Sequence, residues 1–182
     1  GELNDIQVSA ALIAMKMRGE TPAELAGAAE AILSAAKPFL RPDTTVIDSC
    51  GTGGDGSNTI NISTTAALIA ASMGLAVAKH GNRSVSSRSG SADVLEALKL
   101  RVNLDPADAS AQLADNGFCF LFAPHYHPGI KHAMPVRQTL KTRTLFNLIG
   151  PLVNPARPDA QLLGVYSEEW VRPMAETLQR LG

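Results

Sequence analysis

Between residues 45 and 73 the chain passes from a short apolar run, Thr45-Val46-Ile47, through Gly51-Thr52-Gly53-Gly54-Asp55-Gly56 to an alanine-rich helical run from Thr65 to Met73. A strand, a glycine turn and a helix in that order mark a ligand-binding turn of an α/β fold. Glycines let the backbone approach a ligand closely and turn its N–H groups inward. The helix that follows aims its positive end at the same spot. Side-chain oxygens of Thr59, Asn61, Ser63 and Thr64 crowd the space that remains. Such a loop suits a small molecule carrying phosphate or diphosphate.

Residues 51–56 also spell G-x-G-x-x-G, the dinucleotide fingerprint. In that motif the third glycine lies inside the helix, and an acid about 20 residues on holds the ribose. Here Gly56 is followed by Ser57-Asn58-Thr59, and the second strand runs into Lys79 rather than an acid. Nicotinamide binding is therefore not expected. A Walker loop is excluded because no Gly-Lys-Ser/Thr follows the glycines. A plain glycine turn is the simpler alternative, but it has no use for so many hydroxyls and amides.

Strand–helix alternation surrounds this loop. The first 40 residues are predicted as a helical hairpin. Ile6, Ala10, Ile13 and Met17 recur at helical spacing in Asn4–Arg18, and Thr21-Pro22-Ala23-Glu24 reads as a capping box. Strands are predicted at Thr45–Asp48, Leu75–Ala78, Phe118–Phe122 and Gln161–Tyr166. Helices are predicted over Thr65–Met73, Ala92–Lys99, from Asp105-Pro106 to Gly117, after Pro128, and over Glu168–Leu181. A further apolar segment spans Thr144–Leu152. The expected class is α/β: a small N-terminal helical subdomain (1–40, partial), then a mostly parallel sheet flanked by helices (41–182, incomplete at its C-terminal end). Ligands of such sheets bind at the carboxyl ends of the strands, where the polar loops of this chain fall.

Composition narrows the partners. At 45% hydrophobic and 18% charged, with a net charge of −1, the chain reads as a soluble globular protein with no general attraction to nucleic acid. Apolar stretches are too short for a membrane span, and no secretory signal is visible. Cys50 and Cys119 provide neither a disulfide framework nor a zinc cluster, which suits a reduced cytoplasm. Charge is distributed unevenly. From Asn116 to Pro158 there is no acid, while Lys131, Arg137, Lys141, Arg143 and Arg157 lie there with three histidines. A solvated basic face explains any one of these residues; together they suggest a small anionic ligand.

Two more loops follow strands. Lys79-His80-Gly81-Asn82-Arg83-Ser84-Val85-Ser86-Ser87 gathers cations, an amide and hydroxyls, and Ser91 opens the next helix as either a cap or a phosphate contact. Ala123-Pro124-His125-Tyr126-His127-Pro128 carries two histidines without a nearby Cys, Asp or Glu to complete a metal set, so a pocket-lining neutral His is expected. Arg137, on the following helix, has the fork that suits a carboxylate.

Taken in order, these motifs resemble the anthranilate phosphoribosyltransferase family of tryptophan biosynthesis. The matching residues are Gly51–Gly56, Asn61-Ile62-Ser63-Thr64, Lys79-His80-Gly81-Asn82-Arg83, Gly90-Ser91-Ala92-Asp93, His127-Pro128, Val136-Arg137, Arg143-Thr144, Phe146-Asn147, Gly150-Pro151-Leu152 and Asn154-Pro155-Ala156. The resemblance runs over essentially the whole chain. It implies transfer of the phosphoribosyl group of phosphoribosyl diphosphate to the amine of anthranilate, with Mg²⁺. It also implies that Gly51, Gly54, Asp55, Thr59, Asn61, Ile62, Ser63 and Thr64 hold phosphoribosyl diphosphate. Lys79, His80, Gly81, Asn82, Arg83, Ser86, Ser87 and Ser91 would close over the same molecule, and Ser63 would carry Mg²⁺. Gly51, Asn82, His127 and Arg137 would face anthranilate. The apolar face of the helical hairpin, for its part, suggests a homodimer through the helical subdomain of the full-length protein.

The chain departs from the family pattern in two ways. The family places an Asp-Glu metal pair in a later segment, which does not occur after Tyr166; Glu168-Glu169 stands in a different setting. The family chain is also longer. The sequence therefore reads as a fragment trimmed at both ends, and activity is expected of the longer chain. The rival readings are a pyrimidine nucleoside phosphorylase-like enzyme and a non-catalytic relative binding nucleic acid or a nucleotide. Five Phe, two Tyr and one Trp make a poor stacking platform for the latter.

Overall fold

The structure is a computed structural model describing residues 2–56, 59–83 and 90–182. Two helices open the chain, α1 (Asp5–Arg18) and α2 (Pro22–Ser34). Both begin with a reciprocal capping box. Asn4 exchanges hydrogen bonds with Gln7, and Thr21 with Glu24, so the orphan amides of each first turn are satisfied locally.

The sheet consists of β1 (Val46–Gly51), β2 (Ala76–Gly81), β3 (Phe118–Phe122) and β4 (Ala160–Gly164), all parallel, in the order β3-β2-β1-β4. Between strands lie α3 (Ile62–Ser72), α4 (Ser91–Ala97), α5 (Pro106–Asn116), α6 (Ala123–Tyr126), α7 (Met134–Leu140) and α8 (Phe146–Ile149); α9 (Val171–Leu181) closes the chain. The parallel sheet with helices on its faces agrees with the expected class. Period-2 alternation sorts β2 and β3 between two cores. Val77, Phe118 and Phe120 face α3 and α4 through Ala67, Ala92 and Leu95. Ala78, Cys119 and Leu121 face Ala109 and Leu113 of α5.

Element boundaries shift in informative places. α3 starts at Ile62, three residues before the expected start, because the Asn61 side chain caps it by accepting from Thr64 N at 2.9 Å. β2 runs to Gly81, so Lys79 and His80 lie in the strand rather than in a loop. After Pro128 the chain first forms a 3₁₀ segment, Pro128–Ala133, before α7 begins. The apolar segment near residue 148 is α8 continuing into a 3₁₀ turn at Gly150–Leu152.

A third core joins distant parts of the chain. Leu12 of α1 and Leu25 and Ala29 of α2 pack with Val136, Leu148, Ile149 and Met174 from α7, α8 and α9. The later helices thus fold back onto the N-terminal hairpin.

Candidate active site

Strand register brings the carboxyl ends of the sheet to one edge. Gly51 pairs with Gly164, and Gly81 with Phe122. From β1 the chain moves outward to β2 and then β3, but β4 returns to the other side of β1. The crevice between oppositely running connections therefore opens at the end of β1, and the glycine loop leaves the sheet there.

Close backbone packing explains the first glycine. A Cβ on Gly51 would stand 3.3 Å from the Gly164 carbonyl oxygen, and the same oxygen accepts from Thr52 N at 2.9 Å. Gly53, Gly54 and Gly56 follow with φ of +65°, +72° and +72°, a region that side-chain-bearing residues avoid. The guanidinium of Arg143 donates to the Gly54 carbonyl and stacks on Tyr166, 4.3 Å from the ring centroid. Beyond the loop, Asn61 Oδ1 also accepts from the Ser63 hydroxyl at 3.2 Å, which places Ser63 on the first turn of α3. The exposed loop and the positive end of an 11-residue helix form an anion-accepting surface.

Not every expected contact faces that surface. The Thr64 hydroxyl is buried, and its backbone N–H is used by Asn61. Lys79 is 1% exposed, and its ammonium donates to the Ser49 carbonyl inside the sheet. Burial pulls the Lys79 pKa down, while the Asp48 carboxylate opposes that shift. Asp48 Oδ2 accepts from Asn154 Nδ2 at 3.0 Å and from Gln161 Nε2 at 3.2 Å; Asn154 Nδ2 also reaches the Ala78 carbonyl at 2.8 Å. This buried polar network underlies the loop; Lys79 and Asn154 stood out in the sequence as motif residues, but their contacts did not. Arg83 pairs with Glu96 and, at 3.5 Å, with Asp93, which draws it toward α4. Gly90 rather than Ser91 caps α4. Ser91 instead packs beneath Gly81, where an added Cβ would meet Ser91 Cβ at 3.3 Å and Phe120 at 3.1 Å. Asp55, Thr59, Ile62 and Asn82 are exposed around the loop mouth. Ser86 and Ser87 lie outside the described residues.

A second zone adjoins the first. The His80 and His127 rings meet edge to face, with centroids 5.1 Å apart. Both are buried. Neither Nε2 of His80 nor either nitrogen of His127 has a well-aligned hydrogen-bond partner among the described residues. Burial and then the neighbouring His127 push the His80 pKa down to about 3, and burial lowers that of His127. Two neutral imidazoles result. His127 also lines an apolar cavity of about 370 Å³ with Leu145, Phe146 and Ile149 and with Leu12 and Ala28 of the helical hairpin. Arg137 stacks on the Phe146 ring of this wall, its Cζ 5.4 Å from the centroid. It makes no salt bridge among the described residues, and burial lowers its pKa. A partly desolvated guanidinium without a carboxylate beside an apolar wall suits an aromatic acid.

Both thiols are held in the protonated form. Burial raises the pKa of Cys50, and that of Cys119 to about 12. Among the described residues no group of three His, Cys, Asp or Glu could hold a metal. Ser63 contributes one neutral oxygen. That suits a Mg²⁺ carried on a diphosphate and still largely hydrated, rather than a resident ion in a protein cage.

The comparisons with known proteins fit this geometry. Residues 43–182 match the model described as glycosyl transferase family, a/b domain, and residues 1–36 match its helical bundle domain. The chain belongs to the glycosyl transferase family. Within that family it is 98% identical over 182 residues to the anthranilate phosphoribosyltransferase of Idiomarina loihiensis, covering 100% of this chain and 54% of that protein. The anthranilate phosphoribosyltransferase of Thermus thermophilus superposes with a TM-score of 0.94 at 50% identity, covering 100% of this chain and 55% of that one. The enzyme from Saccharomyces cerevisiae in complex with PRPP and Mg superposes with a TM-score of 0.90 at 34% identity, covering 97% of this chain and 50% of that one. The chain spans about half the length of the relatives it matches.

Proposed function

We propose that this chain forms the phosphoribosyl-diphosphate-binding half of an anthranilate phosphoribosyltransferase, with the domain division near residue 40. The observation that carries this reading is the left-handed glycine turn at the end of β1, in the crevice where β4 reverses the strand order and beside the capped start of α3. Backbone amides of Gly53–Gly56 and the Ser63 hydroxyl on the first turn of α3 take the diphosphate, with Asn82 beside them. Lys79 acts from below, as buried positive charge under the loop. Ser63 would help hold a Mg²⁺ carried on the diphosphate, which when bound would supply charge to stabilise the leaving group. Arg137 and His127 orient anthranilate by its carboxylate and ring, so that its amine lies in line with the ribose C1. Reaction forms the N–C1 bond as the C1–diphosphate bond breaks, and the amine gives up a proton. Such a step depends on alignment and on stabilising the separating charges, so no protein nucleophile is needed.

The proposal extends to a homodimer through the helical hairpin, supported by Ile6 and Met17 of α1, which are 81% and 80% exposed. It also extends to a cytoplasmic location, supported by two free thiols, Cys119 buried and Cys50 partly buried. Arg137 supplies the test. In the full-length enzyme, Arg137→Ala is expected to raise the KM for anthranilate roughly 100-fold, the loss of one charge-assisted pair, and to change that for phosphoribosyl diphosphate little. Equal effects on both substrates would remove Arg137 from the acceptor site.

A further inference from the structure

Consecutive glycines at positive φ can turn their peptides over at little cost, so a loop such as Gly53–Gly56 needs an outside anchor to keep its N–H groups aimed. Two anchors are visible, and both lead to the end of β4. Thr52 N donates to the Gly164 carbonyl at 2.9 Å. Two residues further along each chain, Arg143 donates to the Gly54 carbonyl while its guanidinium lies 4.3 Å from the Tyr166 ring centroid. The guanidinium nitrogens stand 3.6 and 3.7 Å from where a Gly54 Cβ would be, so the side chain lies flat against the turn.

This contact has a stereochemical consequence. In a trans peptide the C=O and the following N–H point in opposite directions. Holding the Gly54 carbonyl toward Arg143 therefore directs the Asp55 N–H to the opposite side of the loop. Arg143 makes no salt bridge among the described residues, and it lies in the stretch 116–158 that contains no acid. The contacts its guanidinium makes among the described residues are with the Gly54 carbonyl, the Gly54 turn and the Tyr166 ring. Lysine could carry the same charge there but could not both stack flat and donate in plane.

We propose that Arg143, seated on Tyr166, is a positioning residue that fixes the glycine turn in its phosphate-accepting form; this rests on the diphosphate reading of the loop given above.

Two measurements on the 182-residue chain test it. The first is amide hydrogen exchange of residues 51–56 without ligand, which needs no assumption about what binds. Arg143→Lys, Arg143→Ala and Tyr166→Leu are each expected to speed exchange in this segment at least tenfold while β3 amides keep their protection; Tyr166→Phe is expected to leave it unchanged. Unchanged exchange in the first three variants overturns the proposal, as does faster exchange throughout the sheet. The second is calorimetric titration with inorganic diphosphate and Mg²⁺. Arg143→Lys is expected to weaken binding about tenfold, as Arg143→Ala does. Binding by Arg143→Lys equal to that of the unsubstituted chain would make Arg143 a charge rather than a positioning residue. If the unsubstituted chain itself fails to bind diphosphate, the functional reading falls, and the exchange result alone decides the role of Arg143.

Discussion

Lys79 and His80 are neighbours on β2, and burial acts on them differently. Lys79 keeps company with the Asp48 carboxylate and the Ser49 carbonyl, whereas His80 meets another imidazole and loses its proton. The consequence for stability has a definite sign. A histidine held neutral in the fold, with its pKa near 3 against 6.5 when unfolded, binds fewer protons folded than unfolded between those values. Stability is then complete above about pH 6.5 and falls steadily as the pH drops toward 3. Between pH 7 and pH 5 the loss from His80 alone is expected to be roughly 2 kcal/mol in urea unfolding, and His80→Gln is expected to remove that part of the slope. A slope unaffected by the substitution would show that His80 is already charged in the fold. The sequence brought these residues into view as members of a polar loop and, by resemblance, as contacts of phosphoribosyl diphosphate, but not as buried. Lys-His after an apolar run reads as the end of a strand, and burial that depends on partners 30 to 50 residues away leaves no local mark.

At the scale of elements, β1, β2 and the segment before β4 are joined by one amide. Asn154 Nδ2 bridges Asp48 Oδ2 and the Ala78 carbonyl, and its Oδ1 accepts from Ala156 N at 2.9 Å. Asp48 Oδ1 already lacks a partner among the described residues, so little reserve is left when Asn154 is removed. Asn154→Ala is expected to cost about 2 to 3 kcal/mol of unfolding free energy by urea titration, the penalty for a buried carboxylate losing a donor. A cost below about 0.5 kcal/mol would mean that solvent replaces the amide and the network carries little. Capping boxes, the glycine turn and the apolar β3 were legible because each is a local pattern. Asn154 was legible as part of the Asn154-Pro155-Ala156 motif, but its bridging contacts were not, since its partners lie 76 and 106 residues away.

Over the whole molecule, alternation of strands and helices correctly announced a parallel sheet with helices on both faces. It gave no hint that α7, α8 and α9 leave the sheet to share a core with α1 and α2, because an apolar helix face does not name its partner. That shared core positions the acceptor zone: His127 and Phe146 line the cavity against the hairpin, with Arg137 over Phe146. The glycine loop was readable from sequence alone, whereas the Arg143–Tyr166 anchor required β4 to return beside β1. The central claim is that this loop receives a sugar diphosphate, and glycine-selective ¹⁵N spectra of the chain titrated with phosphoribosyl diphosphate and Mg²⁺ test it directly. Saturable shifts at Gly51, Gly53, Gly54 and Gly56, with Gly27, Gly74 and Gly117 unmoved, are the expected result. Glycine signals that all stay in place, or that move only at the latter three positions, would contradict it.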